Sequence, residues 1–190
     1  MENTHGWEKI HHLVFLPTYK EDVEILRATF RSLVQAKVDT KRMIVVLAGE
    51  ERAGREAFLD RAERIRSEFG EQFLRMIVTT HPSDTVGDIA GKGSNLHYAG
   101  PFAQKAIDDL GIAYEDVVVS TFDVDTIAHP QYFAHLAKTY LETPDRLRAS
   151  YQPVVLYSNN IWDAPAIVRI AAFGTTFWLL SELVRPDRLF

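Results

Sequence analysis

Residues 117–126 read Val-Val-Val-Ser-Thr-Phe-Asp-Val-Asp-Thr, so that two acidic side chains follow directly on a run of apolar residues. A continuous, β-branched run of this kind is typical of a strand buried on both faces, as in a parallel sheet. Ligands of open α/β sheets bind in the crevice beyond the carboxyl ends of such strands. The pattern therefore predicts a binding site at Asp123 and Asp125, whose oxygen ligands suit Mg²⁺ or Mn²⁺. The alternative is that one Asp caps the next helix and the other is merely solvated.

Short apolar runs and amphipathic segments alternate along the rest of the chain. Further strands are predicted at 12–16, 42–47, 73–79 and 148–156, and helices at 23–34, 50–69, 94–110 and 130–142. This alternation predicts an α/β fold of the Rossmann-like, three-layer αβα type, with a mostly parallel central sheet covered by helices on both faces. For 190 residues, a single domain spanning 1–190 is the default expectation.

The segment 166–184 is apolar nearly all round, although it contains Arg169 and Glu182. Two charges within about twenty residues argue against a membrane-spanning helix. A buried core helix is the main expectation, and an interfacial helix at a membrane surface is the alternative.

Composition excludes several classes of function. The net charge is −5 and no basic run is present, so a general nucleic-acid surface is not expected. The absence of cysteine excludes a disulfide framework, a thiolate zinc site and a Cys nucleophile. The polar start of the sequence does not resemble a signal peptide, so a cytoplasmic location is expected.

Two further loops carry polar side chains at predicted strand ends or helix starts. Residues 17–21 read Pro-Thr-Tyr-Lys-Glu, in which the Tyr19 ring could stack on a base beside the polar groups of Thr18 and Glu21. The alternative is a helix start in which Thr18 and Glu21 form a capping box. Residues 91–95 read Gly-Lys-Gly-Ser-Asn and begin a helix, where backbone N–H groups and Lys92 can receive an anion. The spacing is not that of a P-loop.

Together the three loops predict a base platform, a diphosphate site and a divalent metal site in one crevice. A metal that bridges phosphate oxygens stabilises the charge on a departing diphosphate. This combination is typical of the transfer of a nucleotide-activated group.

The three motifs, in this order, resemble those of family 2 glycosyltransferases of the GT-A fold. Residues 17–21 resemble the family's Pro-Thr-Tyr-Asn-Glu opening, residues 91–96 its Lys-containing helix start, and residues 123–125 its Asp-x-Asp motif, with Pro130 downstream. The resemblance implies a nucleotide-sugar donor, usually a UDP-sugar, with GDP- and dTDP-sugars also possible. It implies an inverting, metal-dependent transfer to a hydroxyl of a carbohydrate or lipid-linked acceptor.

The resemblance also implies roles for individual residues. Tyr19 and its neighbours Pro17, Thr18 and Glu21 would lie at the uracil base. Lys92 would lie near the diphosphate, Asn95 would contact the substrate, Asp123 would lie at the ribose or metal, and Asp125 would be a metal ligand.

The chain departs from the family pattern in two places. After the second strand it reads Leu-Ala-Gly-Glu-Glu at 47–51, without the usual base-reading Asp, so Glu50 is the candidate for that role. The family's general-base element and its processive motif do not occur within the 190 residues, and no catalytic residue is assigned. We therefore expect the donor-binding part of a longer enzyme, truncated at its C-terminus. That part would bind nucleotide but transfer sugar poorly, and the full-length protein would associate with the cytoplasmic face of a membrane.

Two other functions fit parts of the sequence. One is a non-catalytic nucleotide-binding or scaffolding module. The other is a phosphatase of the haloacid dehalogenase type, whose nucleophile motif resembles Asp-Val-Asp-Thr-Ile at 123–127. That class usually carries the motif near its start and requires later acidic metal ligands.

Overall fold

The computed structural model describes residues 6–84, 87, 91–156 and 161–184. By its internal contacts the chain forms two compact units, Met1–Arg148 and Ala149–Phe190. The first contains a β-sheet with four covering helices, and the second contains one long helix.

The sheet is formed by four strands, β1 (His11–Pro17), β2 (Met43–Glu50), β3 (Arg75–His81) and β4 (Val117–Thr121). They pair in the order β3-β2-β1-β4, and every pair is parallel. All eight residues of β2 are buried, as the continuous apolar run of a central parallel strand predicts. The expected α/β fold with a parallel sheet is therefore confirmed.

Four helices cover the two faces of this sheet: α1 (Val23–Val34), α2 (Arg55–Phe69), α3 (Lys92–Asp109) and α4 (Tyr132–Glu142). On one face, Leu16 and Val45 pack in a cluster with Phe30 of α1, Phe58 of α2 and Phe133 of α4. On the other face, strand side chains pack against α3 in a second cluster. Helices on both faces make the three-layer arrangement predicted from the sequence.

Gly49 allows α2 to lie close to the carboxyl end of β2. A Cβ atom at this position would lie 2.5 Å from the ring of Phe58, which is fully buried. A side chain is therefore excluded at Gly49. The close packing fixes the end of β2 at Glu50, one of the predicted site residues.

The predicted fifth strand at 148–156 is wrong. Residues 149–156 form no regular secondary structure, and the side chains of Val154, Val155 and Leu156 are exposed. A strand requires a neighbour that accepts its hydrogen bonds, and an apolar run does not by itself supply one. Pro153, which has no backbone N–H, further weakens any pairing.

The second unit contains α5 (Ala166–Leu183), preceded by a single turn of 3-10 helix at Ile161–Asp163. The expectation of a buried core helix is wrong, because the apolar side chains of Ile167, Ile170 and Phe177 are each more than 70% exposed. A pattern that is apolar on all sides does not indicate what covers the helix. No helix in the described ranges has the length and hydropathy that crossing a bilayer requires. The interfacial alternative stays a prediction.

Candidate functional site

The strand order creates a topological switch point between β1 and β4. From β1 the chain adds β2 and β3 on one side, whereas β4 pairs on the other side of β1. Ligands of open parallel sheets bind outside the carboxyl ends of the strands at such a point. Residues 18–21 follow β1, which ends at Pro17, and residues 122–126 follow β4, so two of the three predicted loops flank the switch point.

Hydrogen bonds hold the loop after β1 in place. The backbone N–H of Thr18 donates to Ala48 O (2.9 Å), which prolongs the pairing of β1 with β2 beyond Pro17. Glu21 Oε2 accepts from Thr18 Oγ1 (2.7 Å) and from the Tyr19 N–H (2.6 Å). Burial alone would raise the pKa of Glu21, but these hydrogen bonds outweigh burial and the pKa lies below its ordinary value.

The capping box considered for this loop is not formed. The N-cap of α1 is Asp22, whose side chain accepts from the Glu24 N–H (3.0 Å). Thr18 and Glu21 are instead bonded to each other before the helix begins. Their contacts therefore shape the loop that presents Tyr19.

The ring of Tyr19 is flanked by two cations. Lys20 Nζ lies 5.2 Å and Arg52 Cζ 5.3 Å from the ring centroid, within the range of cation–π attraction. Arg52 Nε in turn donates to Glu50 Oε2. Glu50, Arg52 and Tyr19 thus form one connected group at the ends of β1 and β2. The resulting contacts with Glu50 and Tyr19 raise the pKa of Arg52, so its charge is fixed.

Sequence reasoning identified Glu50 and Tyr19 in this group but missed Arg52. The signal in the sequence is a basic residue two positions beyond a strand that ends in an acidic one. That signal is too common to single out Arg52, and only its contact with Tyr19, in the loop after β1, shows that it belongs to this group.

At the start of α3, Asn95 is 1% exposed and its Nδ2 donates to Ala48 O (2.7 Å). The same carbonyl accepts from the Thr18 N–H, so one backbone oxygen of β2 joins two of the predicted loops. Asn95 Oδ1 is also buried, and no described group donates to it. The side chain acts as a brace between α3 and β2. Its predicted contact with the substrate stays a prediction.

The loop after β4 is anchored by the one residue that separates the two aspartates. Val124 is 3% exposed and lies in the core cluster, and its carbonyl accepts from Thr29 Oγ1 of α1. Asp123 and Asp125 on either side of it are exposed. The chain turns at this point, since the Thr126 N–H donates to Asp123 O (2.9 Å), and Val124 packs into the core while both neighbours face solvent. The core therefore fixes both carboxylates outside the sheet.

Lys92 forms an ion pair with Asp123 Oδ1, which joins the start of α3 to the loop after β4. Within the described ranges, no group of three or more His, Asp or Glu side chains is arranged to hold a metal ion. Mg²⁺ is commonly bound by only one or two carboxylates, with phosphate oxygens and water completing its shell. The two aspartates therefore fit a metal that arrives with a diphosphate better than a resident ion.

The contacts thus join the predicted residues into two groups at one edge of the sheet: a ring with a cation at the ends of β1 and β2, and a Lys–Asp pair between α3 and β4. Pro17 is buried, and it contributes to the site only through the pairing of its backbone with that of Ala48. The chain was compared with protein-family models, with curated proteins and with solved structures, and none of them matched.

Proposed function

We propose that the chain binds a nucleoside-diphosphate sugar at the carboxyl edge of its sheet, as the donor-binding part of a metal-dependent glycosyltransferase. The observation that carries the proposal is that an aromatic–cationic group and a Lys–Asp pair lie at the same carboxyl edge of the sheet, beside a topological switch point. An aromatic ring with polar neighbours suits a base. A helix start with a lysine, opposite two aspartates, suits a diphosphate with its metal.

Each group has a distinct task in this proposal. Tyr19 supplies an apolar surface that is 39% exposed, on which a base can stack. Lys92 and the backbone N–H groups at the start of α3 attract the phosphates. Asp123 and Asp125 would hold Mg²⁺ or Mn²⁺. When bound, that ion supplies charge stabilisation to the departing diphosphate.

The ion pair between Lys92 and Asp123 belongs to the ligand-free state of the site. Both side chains are more than half exposed, so little free energy holds them together. A diphosphate offers Lys92 a stronger anionic partner, and a divalent metal offers Asp123 a stronger cationic one. Exchange of partners on binding couples the metal to the nucleotide. We therefore propose that each ligand binds more tightly in the presence of the other.

Transfer of the sugar, as distinct from binding of the donor, is supported by the sequence resemblance alone. The acceptor would be a hydroxyl of a carbohydrate or of a lipid-linked sugar. No residue is assigned as general base, so we expect the chain to bind donor while transferring sugar slowly.

Thermal unfolding with a panel of nucleotides tests this proposal. A ligand that binds only the folded state raises the melting temperature, by an amount that grows with the logarithm of its concentration relative to Kd. We expect nucleoside diphosphates and their sugars to raise it with Mn²⁺ and to have a much smaller effect with EDTA. Inorganic phosphate with Mn²⁺ is the control for binding of phosphate alone. Equal shifts with and without Mn²⁺ would favour a metal-independent module instead.

A further inference from the structure

The side chain of Arg52 bridges a buried carboxylate and an exposed aromatic ring. Its Nε donates to Glu50 Oε2, and its Cζ lies 5.3 Å from the centroid of Tyr19. The side chain of Glu50 is 7% exposed and that of Arg52 is 38% exposed. The carboxylate is therefore the inner member of the pair, and the guanidinium is the member that faces solvent.

This arrangement removes Glu50 from direct contact with a base. A buried carboxylate that is paired with arginine loses a great deal of stability if its partner is taken away. With only 7% of its side chain exposed, Glu50 presents little surface to a nucleobase. Glu50 acts as a positioning residue, which aims the guanidinium of Arg52 along the edge of the sheet.

The donors that remain on Arg52 determine which base fits. Its Nη1 and Nη2 groups donate to no side chain or carbonyl in the part of the chain that the structure describes, and arginine offers no acceptor. Guanine presents two adjacent acceptors, O6 and N7, which match the planar fork of arginine in a bidentate contact. Adenine presents an amino donor beside N7. Uracil has an N–H between its two carbonyl oxygens, which calls for an acceptor from the protein.

We infer that this site recognises guanine, through Arg52 donating to O6 and N7, with Glu50 and Tyr19 holding the guanidinium in place. The inference rests on the proposed function and adds the identity of the base, where the sequence resemblance pointed to uracil. The planar contact suits Arg52 because its guanidinium is held on two sides before ligand binds, so that little side-chain freedom is lost.

Calorimetric titration of the full chain with four diphosphates, each with Mn²⁺, tests the inference. GDP and IDP share O6 and N7, but IDP lacks the 2-amino group. We expect GDP and IDP to bind with similar affinity, and both to bind at least about tenfold more tightly than ADP or UDP. Arg52→Met should reduce GDP and IDP to the affinity of ADP. Arg52→Lys keeps the charge but loses the fork, and should also lose the preference.

Arg55→Met is the matched control. Arg55 lies one turn further along, is exposed and pairs with Glu51, so its loss should leave the order of affinities unchanged. A cooperative unfolding transition well above the titration temperature will show that each variant is folded, and we expect Arg52→Met to melt lower than the parent chain because Glu50 loses its partner.

Each of the following results would overturn the inference. GDP binding far more tightly than IDP would show that an acceptor reads the 2-amino group. A preference for UDP would show that the base is uracil. An equal loss for all four nucleotides in Arg52→Met would show that Arg52 contacts phosphate. If no diphosphate binds the parent chain at all, the proposed function fails as well, whereas binding of all four without preference overturns only the identity of the base.

Discussion

Lys92, the first residue of α3, is ion-paired with Asp123, the second residue after β4. The pair connects the start of α3 with the loop after β4, the two segments to which we assign the phosphates and the metal. Because both side chains are exposed, solvent screens their attraction and the pair adds little to stability. Its importance is that it places an ammonium and a carboxylate side by side where we expect a diphosphate and a divalent metal to bind.

Replacing Lys92 with Gln should change metal and nucleotide binding in opposite directions. Without the ammonium, Asp123 presents its full negative charge, so Mn²⁺ alone should bind several-fold more tightly. A nucleoside diphosphate with Mn²⁺ should bind about tenfold more weakly, because a charge-assisted contact with phosphate is lost. Calorimetric titration measures both. Lys105→Gln, which removes an ion pair with Asp109 near the end of α3, is the control and should change neither. Weaker binding of Mn²⁺ alone to Lys92→Gln would contradict this account.

Replacing Thr29 with Val should loosen the loop that carries the aspartates. The Thr29 hydroxyl donates to the carbonyl of Val124, and both residues are buried. Valine has nearly the same shape but leaves that carbonyl without a partner, so the free energy of unfolding should fall by about 1–3 kcal/mol. Urea unfolding measures the loss, and Mn²⁺-dependent nucleotide affinity should fall in the same variant.

Ser67→Ala serves as the control for this change. The Ser67 side chain is exposed on α2 and, among the described residues, its hydroxyl donates to the carbonyl of Arg64 alone, so its removal should leave stability nearly unchanged. A Thr29→Val variant as stable as Ser67→Ala would show that the Val124 contact does not hold the loop.

His12 should make the fold sensitive to acid. It is 3% exposed, in edge contact with Phe133, and burial together with the charge of His11 lowers its pKa from 6.5 to about 4. Between these values the unfolded chain binds a proton that the folded chain does not, so stability falls as pH falls from about 6.5 to about 4. The loss from this residue should reach about 3 kcal/mol at pH 4.

Chemical unfolding at several pH values, with His12→Leu beside the parent chain, measures this contribution. The variant should lose less stability than the parent on going from pH 7 to pH 4. His97→Gln, at an exposed position on α3, should retain the parent's pH dependence. Equal slopes for the parent and His12→Leu would contradict the prediction.

The exposed apolar side chains of α5 lead to a prediction about lipid surfaces. Trp178 and Phe177 are 59% and 74% exposed on a helix that is largely apolar. Transfer of such side chains out of water is favourable, so the chain should sediment with phosphatidylcholine vesicles. The double change Phe177→Ser and Trp178→Ser should reduce the bound fraction several-fold. Leu59→Ser, at an exposed apolar position on α2, should not. A parent chain that stays in the supernatant would count against the interfacial helix.

Much of the fold follows from local patterns in the sequence. β2 is a continuous apolar run and is buried throughout, and the spacing of Leu26, Phe30 and Leu33 gives α1 a buried stripe. These features are predictable because burial leaves a pattern of apolar residues, continuous in β2 and periodic in α1, that each segment shows by itself. The strand at 148–156 and the core position of α5 were wrong for the converse reason. Pairing and coverage depend on neighbours that no single segment specifies.

The candidate site divides in the same way. Asp123, Asp125, Tyr19 and Lys92 were identified because they follow strands or begin a helix, and parallel strands bring such positions to one edge. The partners of these residues could not be predicted. Arg52 contacts Tyr19 although the two residues are more than thirty positions apart in the sequence, and only the folded structure shows that contact.

The most direct test of the account is calorimetric titration of the chain with a nucleoside diphosphate, with and without Mn²⁺, beside the variant Asp125→Asn. GDP and UDP should both be tried, since the central claim concerns the diphosphate and its metal rather than the base. The account predicts binding that requires Mn²⁺ and is lost in Asp125→Asn, a change that removes one charge and alters neither size nor exposure. Binding that is equal without Mn²⁺, or unchanged in Asp125→Asn, would contradict it.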